Sequence, residues 1–303
     1  VIFIFGSPRS GTSWLGKIFD SHPNTLFRHE PDSIDWGDYS FLAGPEAADQ
    51  AKPHIERLKY CNNLKPSGTR PIFAKSYMSG LQRLIRIAAV YGGKGLERVN
   101  SKFAALSVPD FVSPDEAELV IKSVGIERVG AFAAARPDSK RVLLMRHPCG
   151  HTDSVMRGFA KSRFNSPLYT SFVETPQAMP YGLTRDSVEK LSLPVQIAWR
   201  WAIWNEKAIA EDPGLHVVLY EDLCRDPIAT SKQLFEYCDL DWASQTQQFI
   251  EYSVSGDSGY FGVRRNPMDA ANRWQERFEA RDDVINAISH TRAYQAYLDA
   301  ARS

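Results

Sequence analysis

Apolar residues along this chain gather in six short runs rich in Val, Ile, Leu and Phe. They lie at 1–5 (VIFIF), 24–30 (NTLFRHE), 71–76 (PIFAKS), 118–124 (ELVIKSV), 141–146 (RVLLMR) and 215–221 (LHVVLYE). Each has strand length, and β-branched enrichment marks it as a strand rather than a helix fragment. Between them, 11–20, 79–91, 125–135, 149–163 and 188–211 carry apolar residues at helical spacing. This alternation predicts an α/β fold, a P-loop-like, mainly parallel sheet with helices on both faces. With no internal repeat, low-complexity tract or clear linker, 1–303 reads as a single domain. The stretch 164–186 mixes Pro, Gly, Thr and aromatics and reads as a long loop or lid.

Composition narrows the function classes. The 36 basic and 36 acidic residues cancel, which argues against general nucleic-acid or membrane-surface binding and leaves room for a local basic pocket. No apolar run reaches the ~18 residues a bilayer span needs. The chain starts without Met on its first strand, so a leader, anchor or stem could precede it. A cytoplasmic enzyme is the first expectation, and the lumenal domain of a trimmed Golgi membrane enzyme competes with it. Cys61, Cys149, Cys224 and Cys238 form no C-x-x-C pair and read as free thiols. His147, Cys149 and His151 cluster in RHPCGH, but not at the spacing of a structural zinc site, and no metal is expected.

In open parallel sheets ligands bind beyond the carboxyl ends of the strands. Just past each strand stand the segment 6–13, Glu30, Lys75, Lys122, Arg146 and Tyr220 to Asp222. The first is GSPRSGTS, nearly a phosphate loop, with Thr12 where the lysine of G-x-x-x-x-G-K-[ST] would stand. Gly6 and Gly11 let the backbone amides turn inward. The following helix adds its positive end, Thr12 and Ser13 add hydroxyls, and Arg9 adds a fixed charge. Without the lysine, and with no apolar run ending in Asp to hold magnesium, a nucleoside triphosphate is a poor fit. A single 5′-phosphate with a less charged extension suits better. A strand–helix turn that binds nothing is the plain alternative. A second anion element lies at RHPCGHTDS, where Arg146 ends a strand and Ser154 lies early in the next helix. Arginine fork and serine hydroxyl can converge on one phosphate; an arginine paired to a surface carboxylate is the plain alternative. Together the two elements suggest a nucleotide phosphorylated at both ends.

These residues resemble the sulfotransferases that use 3′-phosphoadenosine 5′-phosphosulfate (PAPS). GSPRSGTSWL is similar to their 5′-phosphosulfate loop, and VLLMRHPCGHTDSV to their 3′-phosphate element, with His147 where Asp is usual. VVLYEDLCRDP resembles R-Y-E-D-L-x-x-x-P with Leu219 replacing the arginine. GVRRNPMDAANRW resembles the segment in which an R-N pair precedes a Trp near the nucleotide. The likeness runs over nearly the whole chain. HPNTLFRHEP and ELVIKSVGIERV point to the carbohydrate sulfotransferases of the Golgi type, with Gly125 in place of an arginine. The resemblance implies a donor site of Ser7, Pro8, Arg9, Ser10, Gly11, Thr12, Ser13, Arg146, Ser154, Arg265, Asn266 and Trp274. PAPS would be the donor and adenosine 3′,5′-bisphosphate (PAP) the product, without a metal.

The expected reaction moves a sulfuryl group to an acceptor hydroxyl, that of a glycan in this reading. Glu30 is the expected base, with His29 as its rival; a carboxylate merely paired with Arg28 or His29 is the plain alternative. Lys122 is expected at the leaving oxygen, Arg9 on the 5′-phosphate or sulfuryl, and Lys75 either near substrate or simply solvated. Tyr220, Glu221 and Asp222 are expected to support the fold. The segments 32–70, 79–115 and 164–186 are expected to carry the acceptor surface. Other acceptors (a lipid, small alcohol, phenol or tyrosine), a nucleotide kinase with a degenerate loop, and a non-catalytic PAP-binding module are the alternatives.

Overall fold

The computed structural model describes residues 1–33, 44–64, 70–160, 170–255 and 267–302. Among the described residues five strands form one sheet: β1 (Ile2–Phe5), β2 (Thr25–His29), β3 (Glu118–Ser123), β4 (Lys140–Met145) and β5 (His216–Leu219), in the order β2-β3-β1-β4-β5. Every pairing is parallel. β1 is central and buried at all four positions, which is why it reads as an unbroken apolar run rather than an alternation.

The pleat divides the core. Phe3, Phe5, Leu26, Leu119, Ile121, Leu143 and Leu219 face one layer, and Ile2, Ile4, Phe27, Val120, Val142, Leu144 and Val218 face the other. The first layer packs under α2 (Ala48–Tyr60), α4 (Val129–Ala135), α5 (Pro148–Ala160), α7 (Leu193–Glu211), α13 (Arg281–Ile288) and α14 (Arg292–Ala300). The second packs under α1 (Thr12–Ser21), α8 (Tyr220–Arg225), α9 (Pro227–Tyr237) and α10 (Ser244–Val254). Shorter helices are α6 (Arg185–Glu189), α11 (Pro267–Asn272) and α12 (Trp274–Arg277), and α3 (Gly80–Val99) flanks the sheet.

Three expectations need correction. The run 71–76 forms no strand; it follows the α1–β2 connection, where Lys75 donates to the Asp20 and His22 carbonyls and to Thr25 Oγ1. Phe73 packs at the layer's edge against Phe249 at 5.0 Å, and Ile72 joins a separate small cluster with Leu64, Val90 and Val108. The helical pattern over 188–211 is two helices, because Ser192 is extended and Pro194, lacking an N–H, sits in the first turn of α7. α7 buries Trp199 and Trp201 in the core, with Trp204 packed against it. α3 runs eight residues past its expected end, opening on a reciprocal Ser79–Gln82 capping box.

Candidate active site

At the carboxyl end of β1 the chain turns sharply before α1 starts. Arg9 has φ 77° and Gly11 φ 101°, both left-handed, and the Ser10 amide closes onto the Ser7 carbonyl at 3.0 Å. Gly6 and Gly11 are required for different reasons. A Cβ on Gly6 would lie 2.6 Å from Ser10 Oγ and 2.8 Å from the Leu144 carbonyl. At Gly11 the backbone angle excludes most side chains, and a Cβ would lie 2.5 Å from Tyr220 Cε2. Gly11 offers the first turn of α1 no side-chain acceptor, and that turn has no acidic residue. The loop therefore presents amides, the helix's positive end and hydroxyls with no carboxylate among them, which is the chemistry of an anion cradle.

The second element meets the first. Arg146, directly after β4, donates through Nη1 to the Arg9 carbonyl at 3.1 Å and through Nη2 to the Ala270 carbonyl at 2.8 Å. Its guanidinium lies 4.6 Å over the Tyr220 ring. Ser154, on α5, accepts from Arg9 Nε at 3.2 Å. Arg146 and Ser154 thus both converge on Arg9. Neighbouring Asp153 is turned to Arg277 and Arg157 (2.7 and 3.2 Å), so its charge is neutralised by those arginines. The buried Ser10 Oγ and Arg146 Nε have no hydrogen-bond partner among the described residues. Unsatisfied donors beside amides and a helix start fit a phosphorylated ligand.

Trp274 opens α12 and stacks on His147 at 4.3 Å and 18°, beside Arg146. His147, Cys149 and His151 do not form a ligand set. His147 is committed to Trp274, and Cys149 Sγ faces the Arg281 carbonyl at 3.8 Å. Arg265 and Asn266 lie outside the described residues.

Strand register explains the other half of the site. His29 of β2 pairs with Lys122 of β3, and the Glu30 amide continues the ladder onto the Lys122 carbonyl at 2.8 Å. Glu30 then adopts φ 49°, and Lys122 Nζ donates to its Oε1. Burial pushes the Glu30 carboxyl upward, but Lys122, aided by His29, more than offsets this and holds it below the ordinary value of 4.5. His29 lies 3.7 Å from the same Oε1; burial and then Lys122 press it down to about 3, so it is neutral at pH 7.

Lys75 is elsewhere. Thr25 opens β2, so Lys75 sits at the amino-terminal edge of the sheet, the end away from Glu30. There it pairs with Asp20 at 3.3 Å, and burial lowers it to about 8. Lys75 is neither beside the Glu30 site nor solvated: its run is not a strand, so the strand-end rule does not apply to it, and its side chain is buried among carbonyls.

Sequence reasoning also undervalued two groups. Tyr220 walls the site between Gly11 and Arg146, while Glu221 accepts from the His147 amide at 3.0 Å and Asp222 from Arg225 at 2.7 Å. Past Glu30, the fully buried Asp32 accepts from Ser123 and faces Arg128 at 3.7 Å. Burial raises its carboxyl, and Oδ1 has no partner among the described residues. Asp32 is the third residue past the end of β2, within reach of the strand-end rule.

A family model described as the Sulfotransferase family matches residues 2–244. The chain belongs to the sulfotransferase family. Carbohydrate sulfotransferase 1 of Rattus norvegicus is 20% identical over 331 residues, covering 98% of this chain and 79% of that protein. Among solved structures, this sulfotransferase is similar to the sulfotransferase domain from the Synechococcus PCC 7002 olefin synthase. There the identity is 14% and the TM-score 0.47, with 95% of this chain and 92% of that one covered. Mouse sulfotransferase SULT7A1, solved with PAP, is 12% identical with TM-score 0.42, covering 98% and 88%. Family membership makes the chain an enzyme of sulfuryl transfer.

Proposed function

We propose that this sulfotransferase transfers a sulfuryl group from PAPS to a hydroxyl of a carbohydrate. The observation that carries the donor assignment is the convergence of Arg146 and Ser154 on Arg9, which sets two anion elements side by side, as a nucleotide phosphorylated at its 5′ and 3′ positions requires. In this reading the loop 7–13 takes the 5′ end, Arg146 and Ser154 take the 3′-phosphate, and Trp274 lies against the nucleotide. PAPS supplies an activated sulfuryl bonded to a phosphate leaving group.

The chain's own residues supply the proton and charge management. Glu30 is ionised at neutral pH and sits at the open end of the sheet, its side chain 28% exposed. It takes the acceptor proton onto a carboxylate oxygen as attack proceeds. Lys122, buried beneath it, offers Nζ to the charge growing on the leaving oxygen, and Arg9 offers its guanidinium to the same region. His29 is favoured less, because its low pKa makes it a poor proton acceptor at neutral pH. The carbohydrate acceptor is supported by the curated relative and by the H-P-N and V-I-K-S-V likenesses. A single domain whose insertions around 32–70, 79–115 and 164–186 shape the acceptor surface completes the reading.

The test is calorimetry with PAP against ATP·Mg, followed by labelled-sulfate transfer to a panel of glycans, phenols and lipid alcohols. PAP binding that Arg146→Ala weakens, with turnover on a glycan, is expected. Tight ATP·Mg binding without PAP binding would overturn the donor assignment, and turnover confined to phenols or lipids would overturn the acceptor.

A further inference from the structure

α3 is amphipathic in the inverted sense. At about 100° per residue, Leu81, Leu84, Ile85, Leu96 and Val99 fall within one arc of about 120°. The other positions in that arc are Ala88, Gly92 and Gly95. No polar side chain interrupts it. Yet this is the outward face: Val99 is 84% exposed, Leu81 69% and Leu84 64%. The opposite face packs on the protein through buried Val90 and Gly93, and through Arg86, which reaches Asp110 at 3.3 Å. Past the helix end, Phe103 and Leu106 are exposed apolar residues as well. A surface helix ordinarily turns its apolar stripe inward, and a contiguous apolar patch on the outside marks an interaction surface.

Charge selects the occupant. From 80 to 102 there are five basic residues (Arg83, Arg86, Lys94, Arg98, Lys102) and one acidic, Glu97. Glu97 is itself paired with Lys94 at 2.7 Å. Arg83, Arg98 and Lys102 are exposed and make no ion pair among the described residues. The chain as a whole is neutral, so this excess is local. An unbroken apolar face flanked by lysine and arginine fits the boundary between the acyl chains and headgroups of an anionic bilayer. A second copy of the chain fits less well, because it would bring like charges together. The face of one 20-residue helix also falls short of the roughly 800 Å² per partner that a stable protein pair buries. No described helix is long and apolar enough to cross a membrane, so the geometry is that of a helix lying in the surface.

We propose that α3 docks this protein onto anionic lipid membranes, with Leu81, Leu84, Ile85, Leu96 and Val99 inserted and Arg98 and Lys102 on the headgroups. Arg28 on β2 and Arg86 on α3 share Asp110 (2.7 and 3.3 Å). α3 is thereby tied, through its inward face, to the edge strand β2 that precedes Glu30. The proposal does not depend on the acceptor assignment.

Co-sedimentation of the purified protein with vesicles tests it, comparing pure phosphatidylcholine with a three-to-one mixture of phosphatidylcholine and phosphatidylserine, at low and high salt. Binding to the mixed vesicles, weakened by salt, is expected. Arg98→Gln with Lys102→Gln should weaken it about 25-fold, from about fivefold for each basic residue removed. Leu84→Glu with Leu96→Glu should abolish it. All four positions are exposed, so thermal melting of both double variants should match the wild type. Absence of vesicle binding, equal binding to neutral and anionic vesicles, or binding untouched by either pair would overturn the proposal. So would a dimer in light scattering that Leu84→Glu with Leu96→Glu dissolves while vesicle binding persists.

Discussion

Replacing Glu30 by Gln separates the structural part of the Glu30–Lys122 pair from its chemical part. Lys122 is 1% exposed and Glu30 28%, so the pair is neither a solvated surface bridge nor a fully buried one. Removing one partner of a fully buried pair costs about 3–5 kcal/mol, and a surface pair is worth about 0–1. Glutamine keeps an acceptor for Lys122 Nζ and loses only the charge. The expected cost is about 2 kcal/mol, or roughly 3 °C in melting temperature for a chain of this size. The pH dependence carries a sign. The folded-state pKa of Glu30 is depressed, so its contribution is fully present above the ordinary value of 4.5 and is lost as pH falls through the lower folded value. The gap between wild type and Glu30→Gln in urea titrations should therefore hold from pH 7 to 5 and close only below 4.5. If Glu30 also takes the acceptor proton, turnover at saturating acceptor should fall about 10²–10⁴-fold. A variant that loses stability but turns over within threefold of wild type would show that Glu30 only anchors Lys122, and the base assignment would fall. A variant with unchanged stability at pH 7 would refute the coupling itself.

Gly11→Ala should lower stability by about 2–4 kcal/mol, from the left-handed backbone and displacement of the Tyr220 ring, and should abolish PAP binding in calorimetry. Arg146→Lys loses the fork that spans the Arg9 and Ala270 carbonyls; PAP affinity should fall at least about tenfold while the melting temperature changes little. Asp212→Asn breaks the two-point buried contact with Arg141 (2.6 and 3.1 Å), far from the site. Urea unfolding should register about 3 kcal/mol, with PAP affinity unchanged in what remains folded. Because His29 is pressed to about 3, kcat/KM should show no acid limb near 6.5. Such a limb, abolished by His29→Gln, would return histidine to the role of base.

The sheet was legible because its strands are buried on both faces and interrupted by helices of clear period. Five of the six apolar runs are strands of one parallel sheet. The sixth, at 71–76, has the composition of a strand without its surroundings. Its Phe73 packs against α10, its Ile72 against Leu64 and Val90, and its lysine is drawn inward by carbonyls at the α1–β2 corner, a tertiary arrangement that no local pattern encodes. The pairing of Glu30 with Lys122 was half visible: each stands at a strand end, but only the register of β2 on β3 makes them neighbours. Asp32 and Tyr220 were harder, since their roles come from what packs over them.

The slot that holds lysine in a nucleotide kinase's loop holds Thr12, and the structure gives a physical reason why charge does not enter there. Thr12 is 3% exposed, and its methyl group fills the space where a Gly6 Cβ would go, 2.6 Å from that position. The side chain packs under the loop. Positive charge comes instead from Arg9, which has a left-handed backbone and donates to Ser154, and from Arg146, delivered by the neighbouring strand and supported by Tyr220. A lysine on the first turn of the helix concentrates charge at the far end of a polyphosphate. Two arginines joined across the loop spread it sideways along the sheet, toward Ser154. That distribution favours a ligand whose anionic groups lie apart, with Thr12 in the loop and Ser154 on another helix serving the same site.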